Sequence, residues 1–455
     1  MAMTEPAELA SLLDDRPEAG AFRVLPEAFT DATLFDLEMT HIFESTWVFV
    51  GLESEVAKPH DFVTTRVGRV PVLLTRDGDG TLKAFLNSCR HRGTLLCPLR
   101  RGNQRVHVCH YHGWAYDSGG RNTALTWQAD GQYPAAFGVD DHNLVPVARV
   151  ASYRGFIFVS LSAAVSSLEE HLGEARVFLD LVADQAPQGL EFVPGGVSYT
   201  FDGNWKLQFE NGLDYYHFVS THVSFIQILR QRAAQEAEQG LTPQWGREFT
   251  ETEPEAEGTF SFPHGHAVTW SVGIAGQGAE RRPLPRDPAR LAELRQKLGD
   301  TRLKWMLRQR NLTLFPNLQI VDIQSLQLRL WQPLSVDRTR MVSWCLAPIG
   351  ENAEARRYRI RQYEEFFNPS GLATSDDNVM YAYCQEGYVA GTRNRIRNQG
   401  HLRGMGQGLT PPRDHAAELG LKSATAAYGT AQFGDETCIQ AGYREWMRLL
   451  LKGVS

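Results

Sequence analysis

The chain has 455 residues and a formal net charge of −7, and 42% of its residues are hydrophobic and 22% are charged. This length predicts two or three domains of ordinary soluble composition. The sequence has no basic run or stripe, which argues against a nucleic-acid partner, and no apolar run of about 18 residues that would predict a membrane span.

Two features of the sequence favour a cytoplasmic protein. Residues 1–15 are acidic and alanine-rich rather than basic and then apolar, so we expect no export signal. Six cysteines in a chain of this length do not make a disulfide framework. Two of them belong to motifs described below. The other four lie far apart and are expected to be reduced thiols: Cys97, Cys345, Cys384 and Cys438.

The first third of the chain predicts a short helical segment followed by a β domain. Residues 1–45 read as a loose acidic start and then a helix at about 32–44. From Trp47 onward, β-branched and apolar runs alternate with turn residues, and 155–161 reads as the last strand. We therefore place an all-β domain at 46–166. Its clearest predicted strands are 62–67, 70–75 and 82–86.

The remainder, residues 167–455, predicts a sheet with helices packed against it, so the fold class of the chain is α+β. Residues 224–300 are rich in Gln, Glu, Gly and Pro and predict a helix and then long loops. The predicted strands are 197–201, 312–315, 318–323, 326–331 and 341–347. The predicted helices are 167–185, a stretch after 204, 354–367 and 443–451.

Two motifs separated by 17 residues, Cys89-Arg90-His91 and Cys109-His110-Tyr111-His112, each offer one cysteine and one histidine. A [2Fe–2S] cluster with two thiolates on one iron and two imidazoles on the other needs this set. The imidazoles raise its reduction potential above that of a four-cysteine cluster. Structural zinc usually groups its cysteines together and its histidines together. The pattern therefore indicates a Rieske-type cluster first and a zinc site second.

A second candidate centre contains His217 and His222, which are five positions apart. On a regular helix they would point about 140° apart, so a shared metal requires a bend, a π-bulge or a helix end between them. Two histidines and one carboxylate on one face of a metal form the site of Fe(II) oxygenases. The candidate carboxylates are Asp376 and Asp377, although such a pair is more often a solvated turn or an N-cap.

These motifs resemble those of the Rieske non-heme iron ring-hydroxylating oxygenases, and specifically their large (alpha) subunit. The resemblance covers nearly the whole chain and rests on residues 89–93, 109–114, 203–207, 210–222 and 366–377. Four further stretches are similar to the branch that acts on aromatic carboxylates, which includes benzoate, toluate, anthranilate and salicylate oxygenases. They are residues 152–156, 178–181, 184–185 and 359–368.

The resemblance implies a role for each motif residue. It makes the domain at 46–166 a Rieske [2Fe–2S] domain, inserted near the N-terminus of a catalytic domain at 167–455. That domain has an antiparallel sheet covered by helices, and residues 1–45 pack with it. The implied cluster ligands are Cys89, His91, Cys109 and His112. The implied ligands of a mononuclear Fe(II) are His217, His222 and Asp377, with Asp214 as a catalytic residue that bridges an iron-ligand histidine and a cluster histidine of the adjacent subunit.

The implied function is the terminal oxygenase component of an aromatic ring-hydroxylating dioxygenase in aromatic catabolism. Electrons from NADH would reach the cluster through a separate reductase, with or without a ferredoxin, and O2 would be added to an aromatic carboxylate as a cis-diol. No G-x-G-x-x-G motif follows a predicted strand, so we do not expect the chain itself to bind NADH. The implied assembly is a head-to-tail trimer of alpha subunits, with or without three small beta subunits.

Three candidate substrate contacts are Arg329, Asn211 and Phe367. Arg329 lies in a predicted strand, and a guanidinium suits a carboxylate because it can bind both oxygens. A strand-edge or interface arginine is the competing interpretation. Many members of the family that this chain resembles have a small residue at the position of Tyr215. We expect the bulk of this residue, or that of Phe209 or Phe218, to reshape the pocket or an interface.

Three alternatives remain open at this stage. The same ligands serve Rieske monooxygenases, whether hydroxylases or demethylases, and only the products distinguish them. The chain could be an electron-transfer module with an empty second site, which an iron count per chain would reveal. A zinc-stabilised binding protein would be colourless, whereas a Rieske protein is red-brown.

Overall fold

The computed structural model describes residues 5–240, 257–272, 279, 282–394, 400–407, 414–422, 425–427 and 434–454. They form two compact units, one of Met1–Glu38 with Glu169–Ser455 and the other of Met39–Leu168. The chain enters the larger unit through a short hairpin between helices. Its elements are α1 (Pro6–Ala10), β1 (Leu13–Arg16), β2 (Ala21–Val24), α2 (Glu27–Thr30) and α3 (Ala32–Glu38).

The smaller unit is built of antiparallel strands in three sheets, as expected for an all-β domain. The strands are β3 (Val48–Leu52), β4 (Asp61–Val67), β5 (Val70–Arg76), β6 (Leu82–Leu86), β7 (Arg101–Asn103), β8 (Val106–Val108), β9 (Ala115–Asp117), β10 (Asn122–Ala124), β11 (Arg149–Tyr153) and β12 (Phe156–Ser160). The sheet orders are β6-β5-β4-β7, β10-β9-β8 and β11-β12-β3. The hairpins β5–β6 and β8–β9 bring the two Cys-His motifs to strand ends.

The larger unit contains a nine-stranded antiparallel sheet with the order β13-β20-β19-β18-β17-β16-β15-β21, and β14 also pairs with β20. Its strands are β13 (Leu190–Phe192), β14 (Val197–Phe201), β15 (Glu257–Ser261), β16 (Ala267–Ser271), β17 (Gln309–Leu314), β18 (Leu318–Asp322), β19 (Leu326–Ser335), β20 (Arg338–Pro348) and β21 (Thr425–Ala427). The central strands are buried along most of their length because helices cover the sheet.

Ten helices follow α3 in the described residues. They are α4 (Leu168–Leu172), α5 (Arg176–Ala183), α6 (Trp205–Asn211), α7 (Phe218–Thr221), α8 (Val223–Glu238), α9 (Pro288–Leu307), α10 (Ala353–Gln362), α11 (Thr374–Thr392), α12 (Asp414–Glu418) and α13 (Gln440–Val454). A π-helical turn, Tyr363–Phe367, extends α10, so the helix predicted at 354–367 is confirmed. In the described part of the chain, no helix has the length and apolar character needed to cross a bilayer.

A buried carboxylate joins both ends of the chain to α6. Glu38 and Lys206 are each 1% exposed, and Lys206 Nζ lies 2.5 Å from Glu38 Oε1. The indole nitrogens of Trp205 and Trp446 donate to the same carboxylate at 2.8 and 2.7 Å. A charge buried this deeply is stable only when it is paired and hydrogen-bonded. The cluster therefore fixes α3 and α13 against the helix that leads into the second candidate centre.

The sequence interpretation was wrong in two places. The long loops expected within 224–300 are partly regular structure, because β15, β16 and most of α9 lie there; residues 241–256 and 273–278 lie outside the described residues. No element was predicted from Thr374 onward, and the pair Asp376-Asp377 was given a solvated turn or an N-cap as its competing interpretation, yet the segment forms the 19-residue helix α11. Gly387 and several β-branched residues weaken its intrinsic helix propensity. Packing against α2, α6 and α7 stabilises the helix instead.

Candidate metal centres

The two Cys-His loops of the smaller unit have the same backbone hydrogen bonds. In the first, Cys89 N–H donates to Thr94 O at 2.8 Å and Gly93 N–H donates to Cys89 O at 2.9 Å. In the second, Cys109 N–H donates to Trp114 O at 2.8 Å and Gly113 N–H donates to Cys109 O at 2.9 Å. Gly93 and Gly113 have φ of 71° and 72°, a left-handed conformation that favours glycine. The sequence thus folds each motif into the same tight loop.

The four side chains converge. Cys89 and Cys109 are 3% and 2% exposed, and the rings of His91 and His112 lie 4.4 Å apart between centroids. The ring of His91 stacks on Trp114 at 4.8 Å, with 10° between the planes. Burial and then His112 lower the pKa of His91, which favours the neutral ring that binds metal.

The four Cys and His side chains fit a bound iron–sulfur cluster better than they fit a packed core without a metal. An apolar pair of side chains would pack in this position as well as two buried thiols do. Burial raises the pKa of Cys89, and the neighbouring Cys109 raises it further. His91 Nδ1 is buried with no hydrogen-bond partner in the described structure. A buried polar atom without a partner is costly, and coordination by iron would satisfy it. The residues therefore fit a [2Fe–2S] cluster with two cysteines and two histidines.

The second centre forms where the chain breaks between two helices. His222 has φ −101° and ψ 37°, which ends α7 and begins α8. This is the helix end that the five-residue spacing required, and it brings the rings of His217 and His222 to 5.3 Å between centroids. Asp377, in the first turn of α11, is buried beside them. Asp377 Oδ1 lies 3.4 Å from His217 Nε2 and 3.3 Å from His222 Nε2.

One ligand atom from each of these three residues lies within 4.8 Å of the others, and they form the one such group of three or more His, Cys, Asp or Glu side chains found among the described residues. The histidines present Nε2 to the shared space and Nδ1 to a carboxylate. Nδ1 of His217 is 3.2 Å from Asp214 Oδ2, and Nδ1 of His222 is 3.4 Å from Asp376 Oδ2. A carboxylate on the far nitrogen orients a metal-binding imidazole and raises its basicity.

The electrostatics of the group are those of a cation site. Burial opposes protonation of His217, yet the carboxylates of Asp214 and Asp377 outweigh it and raise the pKa of His217 to about 10. Burial likewise opposes ionisation of Asp377, but His217 and His222 lower the pKa of Asp377 well below its usual range. The shared space therefore favours positive charge, which a divalent metal supplies.

The structure also locates the three expected substrate contacts. The Asn211 side-chain amide donates to Asp377 Oδ1 at 3.1 Å, and its nitrogen lies 3.2 Å from His217 Nε2, so Asn211 lies within the centre. Arg329, on β19, is 5% exposed and donates from Nη2 to Thr374 Oγ1 at 3.4 Å. Its guanidinium carbon lies 5.9 Å from the ring centroid of Phe367.

Arg329 is a buried cation without a counter-ion among the described residues. Among the described residues it forms no ion pair, and its Nε is buried without a partner. Burial raises the pKa of Tyr199 and of Tyr381, and on both groups Asp377 raises the pKa further whereas Arg329 lowers it. These two charges therefore face the same interior of the larger unit.

The three bulky residues noted in the sequence lie in different environments. Phe218 is next to the second centre, with its ring 5.5 Å from that of His222. Phe209 packs in the core, 5.9 Å from the ring of Phe315. Tyr215 lines a small cavity with Glu257 and Trp270. Of the three, Phe218 is the one placed to shape the pocket.

The sequence interpretation missed the roles of Asp376 and Thr374. The sequence indicates Asp376 only as an alternative ligand to Asp377, whereas in the structure it contacts the far side of His222. Thr374 contacts Arg329 and lies three residues before Asp377. Recognising α11 as a helix would have identified Thr374, because residues three apart are neighbours on a helix face.

Comparisons with known proteins agree with this geometry. A family model for the Rieske [2Fe-2S] domain matches residues 46–146, and one for the ring hydroxylating alpha subunit (catalytic domain) matches residues 192–450. The chain is 39% identical over 450 residues to toluate 1,2-dioxygenase subunit alpha of Pseudomonas putida, covering 98% of this chain and 94% of the relative.

Two further relatives and a solved structure are similar over nearly their whole length. The 2-halobenzoate 1,2-dioxygenase large subunit of Burkholderia cepacia is 37% identical, with 98% of this chain and 93% of the relative covered. The anthranilate 1,2-dioxygenase large subunit of Acinetobacter baylyi is 39% identical, with 97% and 92% covered. The crystal structure of naphthalene 1,2-dioxygenase from Rhodococcus sp. has a TM-score of 0.78 at 25% identity, and 94% of each chain is covered.

Proposed function

The chain belongs to the Rieske-type ring-hydroxylating oxygenases, as the alpha subunit that forms their terminal oxygenase, and we propose that it cis-dihydroxylates an aromatic carboxylate. It is an oxidoreductase with a Rieske [2Fe–2S] cluster and a mononuclear iron, and it works with separate electron-transfer proteins. The proposed reaction consumes the aromatic acid, O2, NADH and a proton and yields the cis-diol acid and NAD⁺.

The proposed cluster ligands are Cys89, His91, Cys109 and His112, supported by their shared loop geometry and the partnerless Nδ1 of His91. The proposed iron ligands are His217, His222 and Asp377, supported by their convergence within 4.8 Å. When bound, the cluster supplies one-electron transfer and the iron supplies activation of O2. We also propose the division into residues 1–45, 46–166 and 167–455.

Other side chains position these ligands. Asp214 and Asp376 hold the imidazoles of His217 and His222 by their far nitrogens. Aromatic rings line one side of the site and exclude water. The ring of Phe366 lies 5.7 Å from that of His222 and 4.4 Å from that of Phe225.

The substrate class rests on one observation, the buried guanidinium of Arg329, which forms no ion pair in the part of the chain that the structure describes. Burying such a charge is costly unless an anion pairs with it, and a carboxylate can accept two of its hydrogen bonds. The printed names of the three relatives concern toluate, 2-halobenzoate and anthranilate, which are all aromatic carboxylates. An acid bound by Arg329 would lie close to Asp377, because Thr374 touches Arg329 and is one helical turn from Asp377.

The proposed partners are a separate NADH-dependent reductase, with or without a ferredoxin, and further subunits of an alpha3 or alpha3beta3 assembly. The support for several copies is a set of exposed apolar side chains on each unit, which is the kind of surface that subunit interfaces bury. In the smaller unit it includes Leu95, Leu99, Val106, Val108 and Tyr111, and in the larger unit Tyr216, Val219, Val223, Val379, Met380 and Tyr383. A cytoplasmic location is also proposed, and the six cysteines support it because none of them forms a disulfide.

The experiment that tests the substrate class compares acids with neutral analogues. The purified chain, with a surrogate reductase and NADH, is offered benzoate, anthranilate, salicylate and a para-alkylbenzoate beside methyl benzoate and nitrobenzene. We expect turnover of at least one acid and little of the neutral rings. Arg329→Gln should then raise the KM for that acid by roughly 30-fold, corresponding to about 2 kcal/mol, with a smaller effect for Arg329→Lys. An unchanged KM in Arg329→Gln would contradict the assignment.

A further inference from the structure

A carboxylate outside both candidate metal centres joins α6 to two residues near the C-terminus of the chain. Glu210 is the last residue but one of α6, and its side chain is 16% exposed. The hydroxyl of Tyr443, on α13, donates to Glu210 Oε1, and His401 Nε2 lies 3.4 Å from the same oxygen. Neither of these two residues belongs to a motif that the sequence revealed.

The surroundings of His401 fix its position. The residue is 5% exposed and has φ of 66°, a conformation that is uncommon for residues other than glycine. Such backbone strain persists only where the neighbouring structure holds the residue in place. Gln440 Nε2 donates to the carbonyl oxygen of His401 at 2.7 Å, and the His401 ring lies 5.3 Å from that of Tyr443. The imidazole is therefore held beside Glu210.

The charges around His401 favour its protonated form. Burial opposes protonation, yet Glu210, followed by Glu436 and Asp214, raises the pKa of His401 above its ordinary value. An imidazolium beside a carboxylate makes a charge-assisted contact, and the Tyr443 hydroxyl adds a hydrogen bond to the same carboxylate oxygen. Glu210 is thus bound by a cation and by a neutral donor.

The backbone of Glu210 supports two residues that touch the proposed iron ligands. The Asp214 N–H donates to Glu210 O at 3.1 Å, and Asp214 Oδ2 lies 3.2 Å from His217 Nδ1. Asn211, which directly follows Glu210, donates from its side chain to Asp377 Oδ1 at 3.1 Å. A shift of Glu210 would therefore move side chains on two sides of the iron centre.

Packing alone does not require a carboxylate at position 210. Gly442, the residue before Tyr443, lies so close to Phe209 that an added Cβ would overlap the ring, so α6 and α13 are already in tight contact. A buried ion pair can often be replaced by apolar side chains of similar volume without loss of stability. The polar groups around Glu210 are therefore better explained by the orientation they impose than by stability.

We infer that His401 and Tyr443 are positioning residues of the iron centre, on which they act through Glu210. They fix its carboxylate from the C-terminal side and so hold the end of α6 in the orientation that the iron ligands need. Loss of either contact should loosen the ligand geometry and weaken iron binding, although neither residue touches a ligand. The inference rests on the iron ligands proposed above.

The test measures the dissociation constant of ferrous iron at the mononuclear site, in full-length protein that keeps its cluster but has been stripped of that iron. Tyr443→Phe and His401→Gln should each raise the constant about three- to tenfold, which is less than the 10- to 100-fold effect of removing a residue that touches a ligand. The matched control is Arg448→Gln, also on α13, whose half-exposed guanidinium pairs with Glu445 at 2.6 Å. Its iron affinity should equal that of the parent.

A double-mutant cycle distinguishes positioning through Glu210 from a general loss of stability. Glu210→Met keeps the length of the side chain but removes its charge and its acceptor atoms. In that background, Tyr443→Phe and His401→Gln should weaken iron binding no further, because both act through Glu210. If His401→Gln does not fold, Tyr443→Phe, which keeps the ring, completes the cycle alone.

Effects that multiply in the double variants, or a parent-like dissociation constant in the single variants, would overturn the inference. A lowered unfolding temperature with unchanged iron affinity would have the same meaning, since it would show a purely structural role. A parent protein that binds no ferrous iron would instead overturn the ligand assignment, and the inference with it.

Discussion

In the proposed iron site, adjacent residue positions have different roles around the two histidines. His217 and His222 each direct Nε2 toward Asp377 and Nδ1 toward a different carboxylate, Asp214 or Asp376. Two neighbouring aspartates on α11 therefore have different tasks. Asp377 lies in the shared space, whereas Asp376 supports His222 from behind.

This division predicts different results for two adjacent substitutions. Asp377→Ala should lose the mononuclear iron and all product formation, because two imidazoles alone hold Fe(II) weakly. Asp376→Ala should keep iron but lose about 10- to 100-fold in iron affinity or activity, the usual effect of removing a residue that orients a ligand. Iron content, measured against the visible absorption of the cluster as an internal reference, distinguishes them. Equal iron loss in both variants, or loss in Asp376→Ala alone, would refute the roles assigned here.

The sequence predicted functional residues where they belong to a short motif with a characteristic spacing. The Cys-His pairs and the His217–His222 spacing are short-range patterns, and the structure brings each set together. The contact of Arg329 with Thr374 joins residues 45 positions apart, and no local pattern indicates it. The hydrogen bond between Tyr443 and Glu210 likewise spans 233 positions and depends on how two helices pack.

At the scale of elements, the geometry of the iron site depends on how α6 ends. Gly212 follows α6 directly, and a Cβ added there would overlap Gln319 Nε2 on β18. Gln319 is fully buried and accepts a hydrogen bond from Gln208 at 3.3 Å, so it has little freedom to move. The close approach of helix and strand fixes the position of the chain on both sides of Gly212. Asn211 lies directly before this glycine, and the segment that carries Asp214 lies directly after it.

Gly212→Ala should therefore destabilise the larger unit by about 1–3 kcal/mol, the usual cost of overpacking, and lower its iron content. The control is Gly406→Ala, where an added Cβ would meet no atom within 4 Å, and which should change stability by less than about 0.5 kcal/mol. Thermal unfolding and iron analysis of both variants provide the measurement. Normal iron content and an unshifted transition in Gly212→Ala would show that the contact is not a constraint.

Elements differed in how far the sequence determined them. Strands β17 to β20 were predicted because alternating and β-branched runs lie between clear turns. Helix α11 was missed because its residues have weak helix propensity and little amphipathic pattern, and its stability comes from tertiary contacts with α2, α6 and α7. The break at His222 was anticipated only as a requirement of shared metal binding. Its position was not encoded by Pro or Gly.

At the scale of the whole molecule, the proposal that cluster and iron act between copies of the chain makes a prediction about mixtures. A variant without a cluster, Cys109→Ala, and a variant without iron, Asp377→Ala, should each be inactive when alone. Co-expressed in one assembly, they should regain part of the activity, because an intact cluster in one copy can serve an intact iron site in another.

The control for this mixture is the same pair of substitutions placed together in one chain and co-expressed with the parent. Only the parent chains then carry an intact cluster and an intact iron site. The activity should rise with the fraction of parent chains that lie next to another parent chain. An inactive mixture of the two single variants, with full assembly verified by size and metal content, would mean that each chain uses its own cluster and iron.

The central claim is that this chain adds both atoms of O2 to an aromatic carboxylate. The most direct measurement is mass spectrometry of the product formed under ¹⁸O2 from whichever benzoate is turned over. We predict a cis-diol acid that carries two labelled oxygen atoms, with one NADH consumed per product. A product with one labelled oxygen would contradict the account and make the chain a monooxygenase. If NADH were consumed with every acid but O2 were released only as peroxide and no acid were converted, the metal sites would stand and the substrate class would be contradicted.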